Sequence, residues 1–142
     1  MNCIEDVTKA VFSKLSSGCS GVTFVRSFPK VATEFPVKEP TVSLGIKKAE
    51  IPLSEGVYLG KISEDTKCYG AFATITYSLT ICVPKALAGQ ECYKTFDKIA
   101  NALLGKTAFF STAVRCGDIY YDRNMGALVL PAEIDIKAEL MS

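Results

Sequence analysis

The sequence predicts an α+β domain, with a mostly antiparallel sheet and two helices packed on one face in the order α-β-β-β-α-β-β. The first observation is an unbroken alternation over residues 68–83, where apolar side chains occupy the odd positions and mostly hydroxyl-bearing side chains the even ones. The second is a similar alternation over residues 128–140, and the third is a pair of apolar stripes at helical spacing. Because a strand as long as 68–83 needs several partners, the domain is centred on a sheet.

Length and charge set the class of protein. A chain of 142 residues is expected to fold as one domain over 1–142. Lys and Arg number 16 and Asp and Glu 15, so the net charge of +1 gives no broad attraction to nucleic acid or to an anionic membrane. The first residues are acidic where a secretory signal is basic, and no apolar run approaches the roughly 18 residues of a membrane span. We therefore expect synthesis in the cytoplasm and no membrane partner.

The first half of the chain predicts one helix and two strands. Apolar residues at helical spacing predict a helix over residues 3–16, and Asn2 and Glu5 have the spacing of a capping box. Residues 22–28 are rich in β-branched and aromatic side chains and predict a short strand, after which three prolines interrupt regular structure. Alternation resumes at Thr41 and predicts a strand over 41–50, with Val42, Leu44 and Ile46 on its buried side.

The second half begins with an irregular segment, residues 51–67, which is longer than an ordinary connection. The long strand 68–83 follows, and Pro84 ends it. An apolar stripe predicts a second helix over 85–104, and a strand over 109–121 contains Gly117 as an expected bulge. Turn residues at 122–126 lead into the last strand, where Pro131 indicates an edge or bulge position.

Cysteine and histidine content excludes most common chemistry. There is no histidine, which removes Ser-His and Cys-His nucleophiles and the commonest general base. The six cysteines are scattered without a C-x-x-C pair, so we expect reduced, mostly buried thiols rather than disulfides or a zinc site. No catalytic residue, cofactor or metal is predicted.

The acidic residues Asp118, Asp122, Glu64 and Asp65 are the best candidates for an acid/base pair. We interpret them as turn and loop residues, where aspartate is favoured because its side chain bonds its own backbone. The run Cys116-Gly117-Asp118 imitates a nucleophile turn, yet Arg115 is the only adjacent cation that would activate the thiol. A structural bulge is the favoured interpretation.

Glycines and lysines do not form a nucleotide site. No G-x-G-x-x-G or P-loop run is present, and nothing matches the aromatic, basic strands of an RNA-recognition sheet. Lys47 and Lys48, with Lys61 and Lys67, flank the long segment, but acidic residues lie among them. A mixed-charge surface facing solvent or another subunit is the better interpretation.

Three motifs within this element order carry a family resemblance. They are Pro40-Thr41-Val42-Ser43-Leu44-Gly45-Ile46, then Ile81-Cys82-Val83-Pro84, and finally Cys116-Gly117-Asp118-Ile119-Tyr120-Tyr121-Asp122 leading into residues 128–140. Over most of its length the chain resembles the tail-terminator and neck-completion proteins of long-tailed bacteriophages and phage-tail-like bacteriocins. The likeness lies in element order and length more than in a diagnostic motif.

The resemblance implies a structural role. A homo-oligomeric ring, commonly a hexamer, would cap the tail tube, stop its polymerisation and present a surface to neck, connector or sheath proteins. DNA would be met only by passage through the lumen, and the protein would reside in the virion or in a phage-tail-like particle. A head-tail connector or a tail-tube subunit is the nearest alternative, although a tube subunit is normally more β-rich. A small histidine-independent enzyme and a monomeric binding module are the alternatives of other classes.

The segment 51–67 is the predicted contact with a neighbouring subunit or with the tube. Its apolar side chains within a charged rim have the composition of a specific interface. The candidate interface residues are Val57, Tyr58, Leu59, Lys61, Ile62, Glu64 and Asp65, together with Lys47 and Lys48 on the preceding strand.

Overall fold

A computed structural model describes residues 3–26, 39–52, 57–61, 67–84, 89–104, 109–124 and 126–141. The elements in chain order are α1 (Ile4–Gly18), β1 (Thr23–Arg26), β2 (Thr41–Glu50), β3 (Val57–Lys61), β4 (Lys67–Pro84), α2 (Gln90–Leu103), β5 (Phe110–Cys116), β6 (Tyr120–Asp122) and β7 (Ala127–Met141). The predicted α+β class is confirmed. Two short strands, β3 and β6, are added where the sequence predicted an irregular segment and one continuous strand.

The strands form one sheet in the order β1-β2-β4-β7-β5, with β3 also pairing with β4 and β6 with β7. The centre is the antiparallel pair of β4 and β7, which runs from Gly70 opposite Met141 to Pro84 opposite Ala127. All the other pairs are antiparallel except β1 with β2, which is parallel. The sheet is therefore mostly antiparallel, as predicted, with one parallel edge.

Both helices lie on one face of the sheet and bury their apolar stripes there. Val7, Val11 and Leu15 of α1 are fully buried, as are the inward-facing residues of β4 from Ala73 to Val83. The alternations that predicted β4 and β7 are confirmed, because successive side chains of a strand point to opposite faces and only one face meets the helices. A buried hydrogen bond of 2.9 Å between the hydroxyls of Thr8 and Tyr77 joins α1 to the centre of β4.

The helix ends depart slightly from prediction. Cys3 is the N-cap of α1 and makes no side-chain capping bond, while the predicted capping residue Asn2 lies outside the described residues. The helix continues to Gly18, two residues beyond the predicted end. A Cβ atom at Gly18 would lie 2.7 Å from Cβ of Ala102, so glycine permits α1 and α2 to approach closely here. The second helix, Gln90–Leu103, lies within the predicted 85–104, and residues 85–88 of that range fall outside the described residues.

Three local expectations were wrong. Ile46 is 46% exposed rather than buried, although it lies opposite the fully buried Tyr77. The bulge of β5 lies between Ser111 and Ala113, whereas Gly117 follows the end of the strand. Pro131 lies in the inner strand β7, and its missing N–H is tolerated because it falls in the gap between β5 and β6.

Candidate functional site

Most of the sheet face opposite the helices is polar, and we call it the polar face; a small buried cluster of Cys82, Ala127 and Val129 lies at one end of it. In β4 it carries Phe72, Thr74, Thr76, Ser78 and Thr80, which alternate with the buried apolar residues. The charged residues on this face come from three other strands. They are Lys47, Lys48 and Glu50 of β2, Arg115 of β5, and Glu133, Asp135, Lys137 and Glu139 of β7. Among these described residues of β2, β5 and β7, four cations and four anions balance one another.

Bulges in two strands shape this face. In β2, Ile46 lies opposite Tyr77 and Lys48 lies opposite Thr76, so Lys47 is an extra residue. In β5, Thr112 is the extra residue between two paired neighbours. A bulge reverses which side chains face outward beyond it, and the sequence pattern contains no sign of this change.

An ion-pair network crosses the polar face from β2 to β5. Arg115 donates from its two terminal nitrogens to Asp135 at 2.7 and 3.2 Å, and from Nε to Glu133 at 3.0 Å. Lys47 donates to the second oxygen of Glu133 at 2.5 Å. The Thr76 hydroxyl donates to Asp135 at 2.9 Å. The two carboxylates of β7 are thus held by groups from its neighbours β4 and β5 and from β2, which lies beyond β4.

The network keeps its acids ionised. Its hydrogen bonds to Asp135 and Glu133 raise the pKa of Arg115. The hydrogen bond from Lys47 lowers the pKa of Glu133, and the bond from Arg115 lowers it further. Hydrogen bonds from Arg115 and then from Thr76 lower the pKa of Asp135. Both carboxylates are poor general acids at neutral pH, because they hold no proton to donate.

A depression of about 490 Å³ lies over the network. It is lined by Lys47, Ser78, Arg115, Cys116, Gly117, Pro131, Ala132 and Glu133. Its two cations are both engaged by carboxylates of the same chain, which makes the depression a weak site for an anion. Among the described residues no group of three His, Cys, Asp or Glu side chains is placed to hold a metal.

The acidic residues weighed as an acid/base pair have separate positions. Asp118 is exposed between β5 and β6. Asp122 ends β6, where its carboxylate accepts a hydrogen bond of 2.9 Å from the backbone N–H of Asn124 in the following turn, as the turn interpretation predicted. Glu64 and Asp65 lie outside the described residues. Cys116 is an exposed free thiol, and the N–H of Gly117 donates to the carbonyl of Pro131 at 2.8 Å.

The predicted interface residues divide into two groups. Val57, Tyr58, Leu59 and Lys61 lie on β3, whereas Ile62 falls outside the described residues with Glu64 and Asp65. Lys47 and Lys48 lie beside the bulge of β2, opposite Thr76 and its neighbours. Because β3 pairs with β4 between Lys67 and Gly70, about 20 Å of strand separates the two groups. The structure does not bring them together.

The strands β3 and β4 form a two-stranded ribbon that extends past the rest of the sheet. The last residue of β4 that pairs with β7 is Gly70, and Val57 of β3 lies opposite it. Beyond this point, among the residues that the structure describes, only β3 pairs with β4, with Tyr58 opposite Tyr69 and Lys61 opposite Lys67. A two-stranded ribbon is marginally stable alone in water, so a surface that covers it would stabilise it.

Exposed tyrosines mark the opposite end of the sheet. Tyr120 and Tyr121 of β6 and Tyr93 of α2 are 52%, 46% and 48% exposed. Sequence reasoning placed the first two inside a strand and did not single out any of the three. The only signal available was the pair of adjacent aromatics beside a turn. Over the part of the chain that the structure describes, no helix is long and apolar enough to cross a membrane.

Comparison with known proteins rests on structure alone. No protein-family model matches the chain, and no curated protein matches it in sequence. Among solved structures, the sheath/tube terminator of an extracellular contractile injection system, PVC, in its extended state, superposes with a TM-score of 0.55. The chain has the fold of a sheath/tube terminator. The match covers 99% of this chain and 57% of the PVC terminator, at 13% sequence identity. This chain thus spans little more than half of the PVC protein, and the resemblance predicted from sequence is confirmed for the fold.

Proposed function

We propose that this protein is a structural subunit that terminates the tail of a phage or of a phage-tail-like particle. The observation that carries the proposal is the fold that it shares, over nearly its whole length, with a sheath/tube terminator. The absence of histidine and the full engagement of the Arg115 network by ion pairs agree with a structural role. The two helices favour a terminator over a tail-tube subunit.

The proposed assembly is a closed ring of identical subunits, most simply six, seated on the end of the tail tube. A head-to-tail contact between different surfaces of one subunit closes into a ring when the rotation permits. The open sheet has two ends of different character, the ribbon and the tyrosines, which suits such a contact. In this assembly the ring contacts tube and sheath or neck proteins, DNA passes only through the lumen, and the subunit is made in the host cytoplasm.

We assign the contact with the neighbouring subunit or the tube to the ribbon. The assignment rests on its projection beyond β7 and on the apolar and charged residues that the sequence places along it, Val57, Tyr58, Leu59, Lys61, Ile62, Glu64 and Asp65. Lys47 is engaged by Glu133, so it contributes to the polar face rather than to this contact.

The first experiment measures the mass of the purified protein by light scattering over a wide concentration range, and images it with purified tail tubes. A ring in solution or at tube ends is expected. A monomer at every concentration that leaves tube ends uncapped contradicts the terminator role and favours a monomeric binding module. A hydrolytic or transfer activity that is lost on changing Asp118 or Asp122 would favour an enzyme.

The second experiment shortens the ribbon. Residues 58–69 are replaced by Asn-Gly, which closes a two-residue hairpin between the paired Val57 and Gly70. Ile51 stays in place because it packs against the core. The variant should unfold at nearly the same temperature as the natural protein but should not assemble or cap tubes. The matched control is Lys9→Ser, at an exposed position of α1 beside Thr8 and away from both ends of the sheet, which should assemble normally. If the shortened variant caps tubes normally, the ribbon only connects β2 to β4 and the assigned contact is wrong.

A further inference from the structure

The outer half of β2, from Ile46 to Glu50, pairs with β4 in a register that the hydrophobic pattern of β2 alone does not determine. A strand is held in register when one of its faces is buried. Here Ile46, Lys47, Lys48, Ala49 and Glu50 are all exposed. Continuing the register of the inner half without a bulge would pair Lys48 with Ile75, one residue from its observed partner, Thr76.

The observed register has one feature that a regular strand does not allow. Adjacent residues of a regular strand face opposite sides, whereas the bulge leaves Lys47 and Lys48 both on the polar face. The polar face presents two carboxylates there, Glu133 opposite Ser78 and Asp135 opposite Thr76. Lys47 bonds Glu133, and the charge of Lys48 helps to lower the pKa of Asp135. Without the bulge, Lys48 would turn to the helix side and away from this pair.

We propose that the carboxylate pair of Glu133 and Asp135 holds the bulge at Lys47 open and so fixes the register of the outer half of β2. Arg115 positions both acids from the other side, through three hydrogen bonds from β5. The register in turn decides which residues face the helices where the chain leaves β2. The proposal concerns the subunit alone and is independent of the function proposed above.

One competing determinant lies just beyond the strand. Ile51 is half-buried and packs against the core, so its burial also favours the bulged register. The strand β5 also contacts the carboxylates, through Arg115, but in addition its partly buried Val114 packs against the core opposite Ile134. Removing the carboxylates is therefore expected to disturb β2 and to leave the register of β5 unchanged.

The test is register measured by cross-strand nuclear Overhauser effects in the isotope-labelled full chain. The natural protein should show contacts of Lys48 with Thr76 and of Ala49 with Ile75 only. In the double variant Glu133→Gln, Asp135→Asn, a second set should appear, joining Lys48 to Ile75 and Ala49 to Thr74. Amide exchange of the outer half should be at least about tenfold faster, with the inner half unchanged. The variant Glu139→Gln, on the same strand and face, is the control and should behave as the natural protein.

Three results would overturn the proposal. The first is that the double variant keeps the natural set alone. The second is that β5 also loses its contact between Val114 and Ile134, which would indicate general loosening. The third is that Ile51→Ser shifts the register while the double variant does not. If the double variant fails to fold, Lys48→Gln replaces it, since that exposed side chain is remote from the core. The Lys48→Gln variant should then show the second set of contacts at lower intensity. If it shows the natural set alone, the carboxylate pair does not fix the register.

Discussion

The hydrogen bond between the hydroxyls of Thr8 and Tyr77 allows a prediction about stability that depends on which of the two hydroxyls donates its proton. The Thr8 hydroxyl donates to the carbonyl of Ile4 at 2.9 Å, which uses its single proton. In the 2.9 Å contact with Tyr77 it must therefore be the acceptor, and the tyrosine must donate. Both side chains are almost completely buried, and burial raises the pKa of Tyr77, so no water replaces a lost partner.

Removing the donor and removing the acceptor of this bond should lower the free energy of unfolding by different amounts. Tyr77→Phe removes the donor but leaves Thr8 bonded to Ile4, so we expect a loss of about 1 kcal/mol. Thr8→Val keeps the shape of the side chain but leaves the buried tyrosine hydroxyl unbonded, which should cost roughly 2–3 kcal/mol. Adding Tyr77→Phe to Thr8→Val removes the orphaned hydroxyl. The double variant should then be more stable than Thr8→Val alone by about 1 kcal/mol.

Urea unfolding at neutral pH measures these differences, and thermal unfolding should shift by about 3 °C for each kcal/mol in a domain of this size. The informative result is the sign of the second substitution. If Tyr77→Phe destabilises the Thr8→Val protein further, or costs as much alone as Thr8→Val does, the hydroxyls are not paired as described and the contact does not anchor α1 to β4.

Three further predictions follow from the helix contact, the polar face and the thiols. Gly18→Ala should destabilise by roughly 1–3 kcal/mol in urea unfolding because its Cβ meets Ala102, although alanine is the better helix former; adding Ala102→Gly should recover most of the loss. The carboxylates bonded to Arg115 have lowered pKa values, so their stabilisation is present above their unfolded pKa and is lost as pH falls through the folded one; the stability difference between the natural protein and Arg115→Gln should shrink on acidification, and a constant difference would contradict this. Burial raises the pKa of Cys82 to about 12, so iodoacetamide at mildly alkaline pH should label exposed Cys116 rapidly and leave Cys82 unlabelled. Unfolding without reductant should expose all six cysteines as thiols, and a count below six would reveal disulfides.

The sequence by itself determined the layers of the fold. A period of two over residues 68–83 and 128–140 and a period near 3.6 in the helices each require one buried side, so they predict the sheet, the helices and the face on which these meet. The turn role of Asp122 also followed from sequence, because an aspartate bonds its own backbone within two residues. Such features are local, and local spacing records them.

Tertiary structure decided what depends on neighbouring strands. The bulges at Lys47 and Thr112 change the register by one residue, and only the pairing partner reveals it. Neither the parallel pairing of β1 with β2 nor the exposure of Ile46 can be read from the alternation of β2. The network of Arg115 joins residues from four strands, which the sheet order β2-β4-β7-β5 brings side by side. A one-dimensional pattern contains the period of each strand but neither its register nor its neighbour, because those follow from the lowest free energy of the whole sheet.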